Sequence, residues 1–471
     1  MKRENIRKDD ILRVIPGERF TPYGLAKKLG ASAVLESSSL KKGRDRYSLL
    51  LVHEAFRIVQ KENDIYFKDE KGTYSVKSKG RDILDVLMYF AKQHVPLRQD
   101  LPFPAGGIGY LSYEFARKCD DFQIKSKPRS KGTYDAEFLF GHVFIIFDHY
   151  TDILYLVGLN YREHEVDLEA AVDSVYNRIN DLDFNYLAAS EQKVKAGIVE
   201  TGGLTKQAYL DGVNTIKHEV EAGNLLQGVL SRSMGIKTDL PALEAYRNLR
   251  SSNPSPYMFF LDFDSYQLFG ASPEMLVKVK NNEAVIRPIA GTRRRGADNK
   301  EDDALEEELL ADKKERAEHL MLVDLARNDL GRICEPGSVQ VTEYMNVERY
   351  SHVMHIVSNV VGKLREDFSG PDAVRASFPA GTVSGAPKIK AVEIIDSIEP
   401  EDRGVYAGLV GYIEPDGSID SCITIRSGLK KDGVIYLQAG AGIVYDSKPE
   451  REYEETREKL QALTSACGVE V

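Results

Sequence analysis

The alternation of apolar and polar positions divides the chain into two regimes. From Arg46 to about Leu187, short apolar runs alternate with turn residues and a few helical stretches. Within it, "FLFGHVFIIFDHYTDILYLVGL" (138–159) predicts two strands joined by a turn around Asp148 to Asp152. The polar, glycine-bearing stretch 188–203 reads as a linker. Beyond it a helical period sets in from Lys206 to Ala222, with Thr205 placed as N-cap and Gly223 as the C-terminal stop. "LLQGVLSRSMGI" predicts a strand, and Pro241 opens a helix with Asp239 placed to cap it. "SPYMFFLDF", "YQLFG", "MLVKVK" and "EAVIRPI" predict further strands. Residues 299–330 read as helical, with "EDDALEEE" a solvated face. "HVMHIVSNVV" (352–361), dense in β-branched residues, predicts a strand. "PKIKAVEIIDSI" and residues 450–463 predict the last helices. Strands and helices come in mixed order without regular βαβ alternation, so the expected class is α+β, antiparallel sheets backed by helices.

Composition narrows the function classes. The chain has 471 residues, 42% hydrophobic and 29% charged, with a formal net charge of −10. That charge argues against nucleic acid or an anionic membrane as the main partner. Cys119, Cys334, Cys422 and Cys467 lie far apart, without CxxC or zinc-type spacing. The start has no apolar signal region, and no stretch approaches transmembrane length, so the expected address is the reducing cytoplasm. No G-x-S-x-G or G-x-C-x-G elbow supports covalent catalysis by Ser or Cys.

Candidate chemistry begins with two acidic pairs. Glu315 and Glu318, and again Glu452 and Glu455, stand three apart on predicted helices, so each pair shares a face. Two such helices would suit a hard divalent cation, which takes oxygen ligands, although glutamates at this spacing also decorate any solvated helix. "FPAGTVSGAPK" (378–388) is a small-residue loop entering a helix. Gly381, Gly385 and Ala386 would let backbone approach a ligand, with Pro387 in the first turn and free N–H groups suited to an anion; a plain turn is the alternative. "LQAGAGIVYDS" (437–447) reads as a second such loop, with Gly440 and Gly442 flanking Ala441. In the predicted strand "SCITIRS" (421–427), Arg426 interrupts the apolar alternation. Its carboxylate partner could belong to the protein or to a substrate. Strand alternation puts His352 and His355 on opposite faces, and a lone strand histidine is often a core residue.

Together, "GASPEM", "RPIAGTRRRG", "ERAEHLMLVDLARNDLG", "HVMHIVS", "FPAGTVSGAPK" and "EYEETREK" resemble the chorismate-utilising enzymes, in order and at family-like spacing over nearly all of residues 200–465. The resemblance implies that family's fold, a sandwich core of antiparallel sheets backed by helices. Residues 1–190 would form an N-terminal region with regulatory elements, and 200–465 the chorismate-binding catalytic region. Within the family the pattern is most similar to the large subunits of anthranilate synthases. Gln227 stands where isochorismate and salicylate synthases carry a lysine base, and Ala290 where aminodeoxychorismate synthases carry an attacking lysine.

By this resemblance Glu318 and Glu455 ligate Mg²⁺, with Glu315 and Glu452 close by. Arg426 and the Gly440/Gly442 loop hold the enolpyruvyl carboxylate of chorismate near Tyr406, while Thr382, Gly291 and Thr292 line the ring. Glu274 is the implied general acid, and His355 serves the second step by orienting or transferring a proton. Lys459 is retained, although the family's Asn-Lys there reads Arg457-Glu458-Lys459. Free ammonia is the implied attacker, delivered by a separate glutamine amidotransferase subunit in a heterotetramer. "AVLESSS" (33–39) and "NPSPYMFF" (253–260) resemble the segments that bind the inhibitor L-tryptophan, which makes Leu35, Glu36, Ser37, Pro256, Tyr257 and Met258 the candidates. The alternative is a turn residue beside a core strand. The chain itself contains no tryptophan, as suits an enzyme made when tryptophan is scarce.

Overall fold

A computed structural model describes residues 9–39, 43–44, 46–78, 80–125, 127, 131–183, 195–350 and 353–469. Within them, twenty-two strands join in one continuous hydrogen-bonded network, every ladder antiparallel, and eleven α-helices pack around it. The long apolar runs in the N-terminal part form its spine. Tyr47–Lys61 pairs with Ala136–Asp148, which pairs onward with Ile153–Leu159. All thirteen residues of Ala136–Asp148 are buried, as the unbroken run "FLFGHVFIIF" requires of a strand covered on both faces.

The two halves of the chain are stitched together by strand pairing. Ala33–Glu36 lies against Tyr257–Asp262, with Glu36 opposite Met258. Ile108–Leu111 lies against Leu409–Ile413. One apolar cluster accordingly contains Phe56, Tyr110 and Phe140 beside Leu268, Val374 and Leu409.

Several local expectations are corrected. Residues 299–330 form two helices, Asn299–Ala311 and Lys313–Gly331. Asp312 is extended and its carboxylate accepts from the N–H groups of Lys314 and Glu315, a cap bond that wins over continuing the helix. Asp239 does not cap: the helix Ala242–Ser252 starts after Pro241, which makes no side-chain cap bond, and Thr238 Oγ1 takes the Leu240 N–H. Thr205 does cap its helix, accepting from Ala208 N at 3.2 Å. Part of the expected linker is a strand, Ala196–Val199, paired with Gln227–Thr238; residues 188–194 lie outside the described residues. His352 lies outside them too.

Candidate active site

The helix Lys313–Gly331 carries Glu315 and Glu318 on one face, and Pro449–Ala466 carries Glu452 and Glu455. These faces meet over a cavity of about 680 Å³. The same cavity is lined by Gln227, Glu274, Gly291, Thr292, His355, Thr382, Tyr406, Arg426, Gly440, Gly442 and Lys459, so every catalytic, substrate-binding and metal candidate read from the sequence faces one space. Arg293, Lys314, Arg451 and Gln438 line it as well. Arg293 sits in the quoted "RPIAGTRRRG" run, whose three successive arginines could have marked it.

The loops are built differently from their sequence reading. Gly440 and Gly442 lie inside the strand Val434–Ile443, paired with Ser231 and Val229. A Cβ on Gly442 would stand 2.2 Å from Gln227 Nε2, so this glycine makes room for a neighbouring side chain. "GTVSG" forms a helical turn, Gly381–Ser384, and then a two-residue strand, Gly385–Ala386, against Gln227–Gly228. Gly381 and Gly385 serve packing, not ligand approach: added Cβ atoms would meet Leu325 at 1.9 Å and the Gln227 carbonyl at 2.2 Å. Pro387 is the N-cap rather than first-turn residue of Lys388–Ile398. Thr382 and Val383 are the residues of this segment that reach the cavity.

Arg426 is not in a strand either. It occupies the bend between Ile419–Ile423 and Ser427–Lys431 at φ 51°, a backbone conformation that costs a non-glycine residue about 1 kcal/mol or more. Its guanidinium donates to the Lys459 carbonyl and forms no ion pair with any described carboxylate. Burial pulls it below its ordinary value, with Tyr406 and Glu455 opposing. A half-buried guanidinium with no carboxylate partner among the described residues suits an external carboxylate.

Around His355 the strand Ile289–Arg294 shifts register against Val353–Lys363 between Ala290 and Arg293, with Gly291 at φ 65°. The bulge turns the Gly291 carbonyl toward His355 Nδ1, at 2.8 Å, and Thr292 Oγ1 lies 3.1 Å away. A carbonyl only accepts, so Nδ1 carries the proton and the neutral ring keeps a bare Nε2. Burial lowers the His355 pKa and favours that neutral form.

Glu274 is buried, and burial pushes its carboxyl up to about 7, with the Thr382 hydroxyl and Lys459 pulling against it. Glu318 is raised by burial first and then by Glu315; Gln227 Nε2 donates to its Oε1 at 3.2 Å. Gln227 Oε1 is buried without a hydrogen-bond partner. Glu452 is also raised, by burial first, with Glu455 adding. Glu315 lies 3.4 Å from Arg293, and Glu455 2.7 Å from Lys459, which also donates to the Gly440 carbonyl. Glu318 and Glu452 have no such cation among the described residues. Four converging carboxylates, two of them unneutralised, fit a hard divalent cation.

Comparison with known proteins now bears on this geometry. The sequence profile of the chorismate binding enzymes matches residues 46–465. The chain belongs to that family. Anthranilate synthase component 1 of Spirochaeta aurantia is 61% identical over 464 residues, covering 98% of this chain and 96% of that protein. The Aquifex aeolicus protein of the same name is 40% identical, covering 93% and 89%. Anthranilate synthase component I from Streptococcus pneumoniae superposes with a TM-score of 0.79 at 37% identity, covering 89% of this chain and 92% of that one. The menaquinone-specific isochorismate synthase of Escherichia coli, at 19% identity and a TM-score of 0.74, shares the fold. This chorismate binding enzyme has the mixed α+β architecture expected from its sequence, built on antiparallel sheet.

A second cavity, about 560 Å³, is lined by Leu35, Glu36, Ser37, Pro256, Tyr257 and Met258. Glu36 is buried and pairs with Arg250 through one oxygen, while its Oε1 has no hydrogen-bond partner. Tyr257 donates to Asp420 at 3.1 Å. Pro273 and Ile289 line both cavities.

Proposed function

We propose that this chain is the synthase component of an anthranilate synthase, a lyase that converts chorismate and ammonia to anthranilate and pyruvate. The observation that carries the reading is the cavity itself. It combines a carboxyl held near 7, a half-buried arginine with no carboxylate partner among the described residues, and four converging glutamates, and it has Gln227 and Ala290 where related enzymes place reactive lysines. With no amine at either position, ammonia is the nucleophile that the site leaves for itself.

Chorismate is a dianion. Arg426 takes its enolpyruvyl carboxylate, with Tyr406 and the Gly440–Gly442 strand alongside, and Gly291, Thr292 and Thr382 flank the ring. Glu318 and Glu455 would hold Mg²⁺, with Glu315 and Glu452 beside them; one oxygen of Glu455 is committed to Lys459. Such an ion would offset the charge of the acidic cluster and supply a Lewis acid for the anionic substrate.

Ammonia adds at C2 as the C4 hydroxyl leaves, and protonated Glu274 supplies the proton that lets it depart as water. The intermediate, aminodeoxyisochorismate, then loses its C2 proton to the bare Nε2 of His355. The C3–O bond breaks with its electron pair going to the leaving oxygen, and the enolpyruvate released takes a proton at its methylene carbon to become pyruvate, leaving the aromatic ring. Glutamine amidotransferase, as a partner subunit, supplies the ammonia, and a heterotetramer is the expected assembly. L-Tryptophan binds the second cavity as inhibitor, its amino group on Glu36 and its ring between Leu35 and the Pro256–Met258 strand. The enzyme works in the cytoplasm; none of the described helices is long and apolar enough to cross a membrane.

The test is the purified chain with chorismate, an ammonium salt and Mg²⁺, product identified by mass and fluorescence. Anthranilate that disappears with EDTA and with Glu318→Gln is the expected result. Aminodeoxychorismate or isochorismate as product would overturn the reading.

A further inference from the structure

The hydrogen-bond partners of the His355 ring among the described residues, Gly291 at 2.8 Å and Thr292 at 3.1 Å, both fall on Nδ1. They do not decide where Nε2 points, because the torsion that turns an imidazole plane is soft and roughly two-fold. A base that must meet one proton of a bound intermediate needs that plane held.

The Tyr350 ring supplies the hold. It meets the imidazole at 64°, close to edge-to-face, with centroids 5.5 Å apart, an arrangement that the ring quadrupole favours. Tyr350 is not among the residues that line the cavity, so it reaches the reaction only through His355. It is fixed in turn. Its N–H donates to the Val353 carbonyl and its own carbonyl accepts from Arg295, both at 2.7 Å. Its hydroxyl donates to Glu348 Oε2 at 3.0 Å, and burial, with Glu348 next, holds the phenol above its ordinary pKa, so it stays a donor. The other carboxylate oxygen of Glu348 accepts from Arg287. Glu348 stands directly opposite His355 in the ladder of Gln340–Arg349 with Val353–Lys363, so the two side chains share a face. Arg287 lies between Glu283–Ile286 and Ile289–Arg294, which pair with the other edge of Val353–Lys363. The Arg287–Glu348 ion pair therefore reaches across the strand that carries His355.

We propose that Tyr350 is a positioning residue of the second step: its ring sets the plane of His355, and Glu348, clamped between Arg287 and the Tyr350 hydroxyl, sets the ring. The inference rests on the proposed role of His355 as the base that takes the C2 proton of aminodeoxyisochorismate. Addition of ammonia and loss of the C4 hydroxyl draw on Glu274 and not on His355. Loosening Tyr350 should therefore slow the elimination alone, and the intermediate should build up instead of aromatising.

The test follows chorismate, aminodeoxyisochorismate and anthranilate together, by chromatography and mass, with the full-length chain, Mg²⁺ and an ammonium salt. Tyr350→Leu should slow anthranilate formation about tenfold or more, with chorismate consumption and the KM for chorismate close to wild type. Tyr350→Phe keeps the ring and loses only its tether, so most of the anthranilate should return, and Glu348→Ala should match it. Equal losses of chorismate consumption and anthranilate in Tyr350→Leu, or a wild-type product ratio, would overturn the proposal. A readout free of turnover is the histidine ring spectrum by NMR, with the His355 signal assigned through His355→Gln. In Tyr350→Leu that signal should lose its ring-current shift and broaden as the imidazole turns. A line as sharp as that of the wild type would overturn the proposal whatever the turnover, whereas a wild-type chain that makes no anthranilate would count against the proposed function itself.

Discussion

At the scale of single residues, environment assigns the roles. Glu274 and Glu455 are the same amino acid on the same cavity wall, yet one is a buried carboxyl raised to about 7 and the other an ion-paired carboxylate. Glu274→Gln should lower kcat with ammonia by about 10² to 10⁴-fold, the usual contribution of a general acid, with a smaller change in KM. Catalysis needs Glu274 protonated, so kcat/KM at constant free ammonia should fall as pH rises through about 7, and that limb should vanish in the variant. Stability has the matching sign. A folded-state pKa above the ordinary 4.5 favours the native state fully at acid pH, and the contribution is lost as pH rises from there through about 7. Glu274→Gln should therefore be more stable than wild type at pH 8, by roughly 1–3 kcal/mol, and should lose that advantage near pH 4, as thermal unfolding would register. Arg426→Ala removes the guanidinium without stranding a protein carboxylate, so its cost should fall on substrate: KM for chorismate rising by about 2–4 kcal/mol equivalent, with Tm little changed.

Glycines at the scale of elements divide into two kinds that sequence does not distinguish. Gly381 packs against Leu325 of the Lys313–Gly331 helix, whereas Gly442 packs against the Gln227 amide. Gly381→Ala should be a stability variant, overpacked by about 1–3 kcal/mol, read as a lower denaturation midpoint. Gly442→Ala should be an activity variant. Its Cβ displaces Gln227 from Glu318, and turnover should fall while the far-ultraviolet spectrum and Tm stay close to wild type. Equal losses of Tm in both would show that Gln227 is not held by Gly442. The bulge at Gly291–Thr292 belongs at this scale too. One irregularity in a ladder turns a carbonyl toward His355 and thereby decides which of its nitrogens is free.

For the whole molecule, the feature that matters is the wall shared by the two cavities. Pro273 directly precedes Glu274, and Ile289 directly precedes Ala290 and Gly291, so a ligand in the second cavity would border the segments that present the acid and the ring-lining residues. Coupling requires only that this segment have two arrangements favoured by different ligands. Tryptophan should then weaken chorismate binding, and chorismate should weaken tryptophan binding by the same factor, a reciprocity that calorimetry can check. Glu36→Gln should raise the inhibitory tryptophan concentration at least tenfold. If tryptophan heat were unchanged in that variant, the amino group would have to sit elsewhere.

The sequence by itself determined the fold class and the two pairs of carboxylates that share a helix face, while its motifs, through their resemblance to a known family, pointed to the other candidates that line the two cavities. Apolar periodicity is a local consequence of which face is buried, and side chains three apart on a helix must share a face whatever else the chain does. The interruption at Asp312, the helical turn at Gly381–Ser384 and the left-handed bend at Arg426 were not legible, because each is decided by a competitor from elsewhere in the chain or by a cap bond that outweighs the local pattern. Only the tertiary structure decided what each candidate faces. Among the described residues it left Arg426 without an ion-paired carboxylate, raised Glu274 by burial, gave Glu455 a lysine partner while leaving Glu318 and Glu452 without one, and set the tautomer of His355 through the carbonyl of Gly291 on a neighbouring strand. Charge state and proton position depend on what packs around a group, and packing is a property of the folded whole.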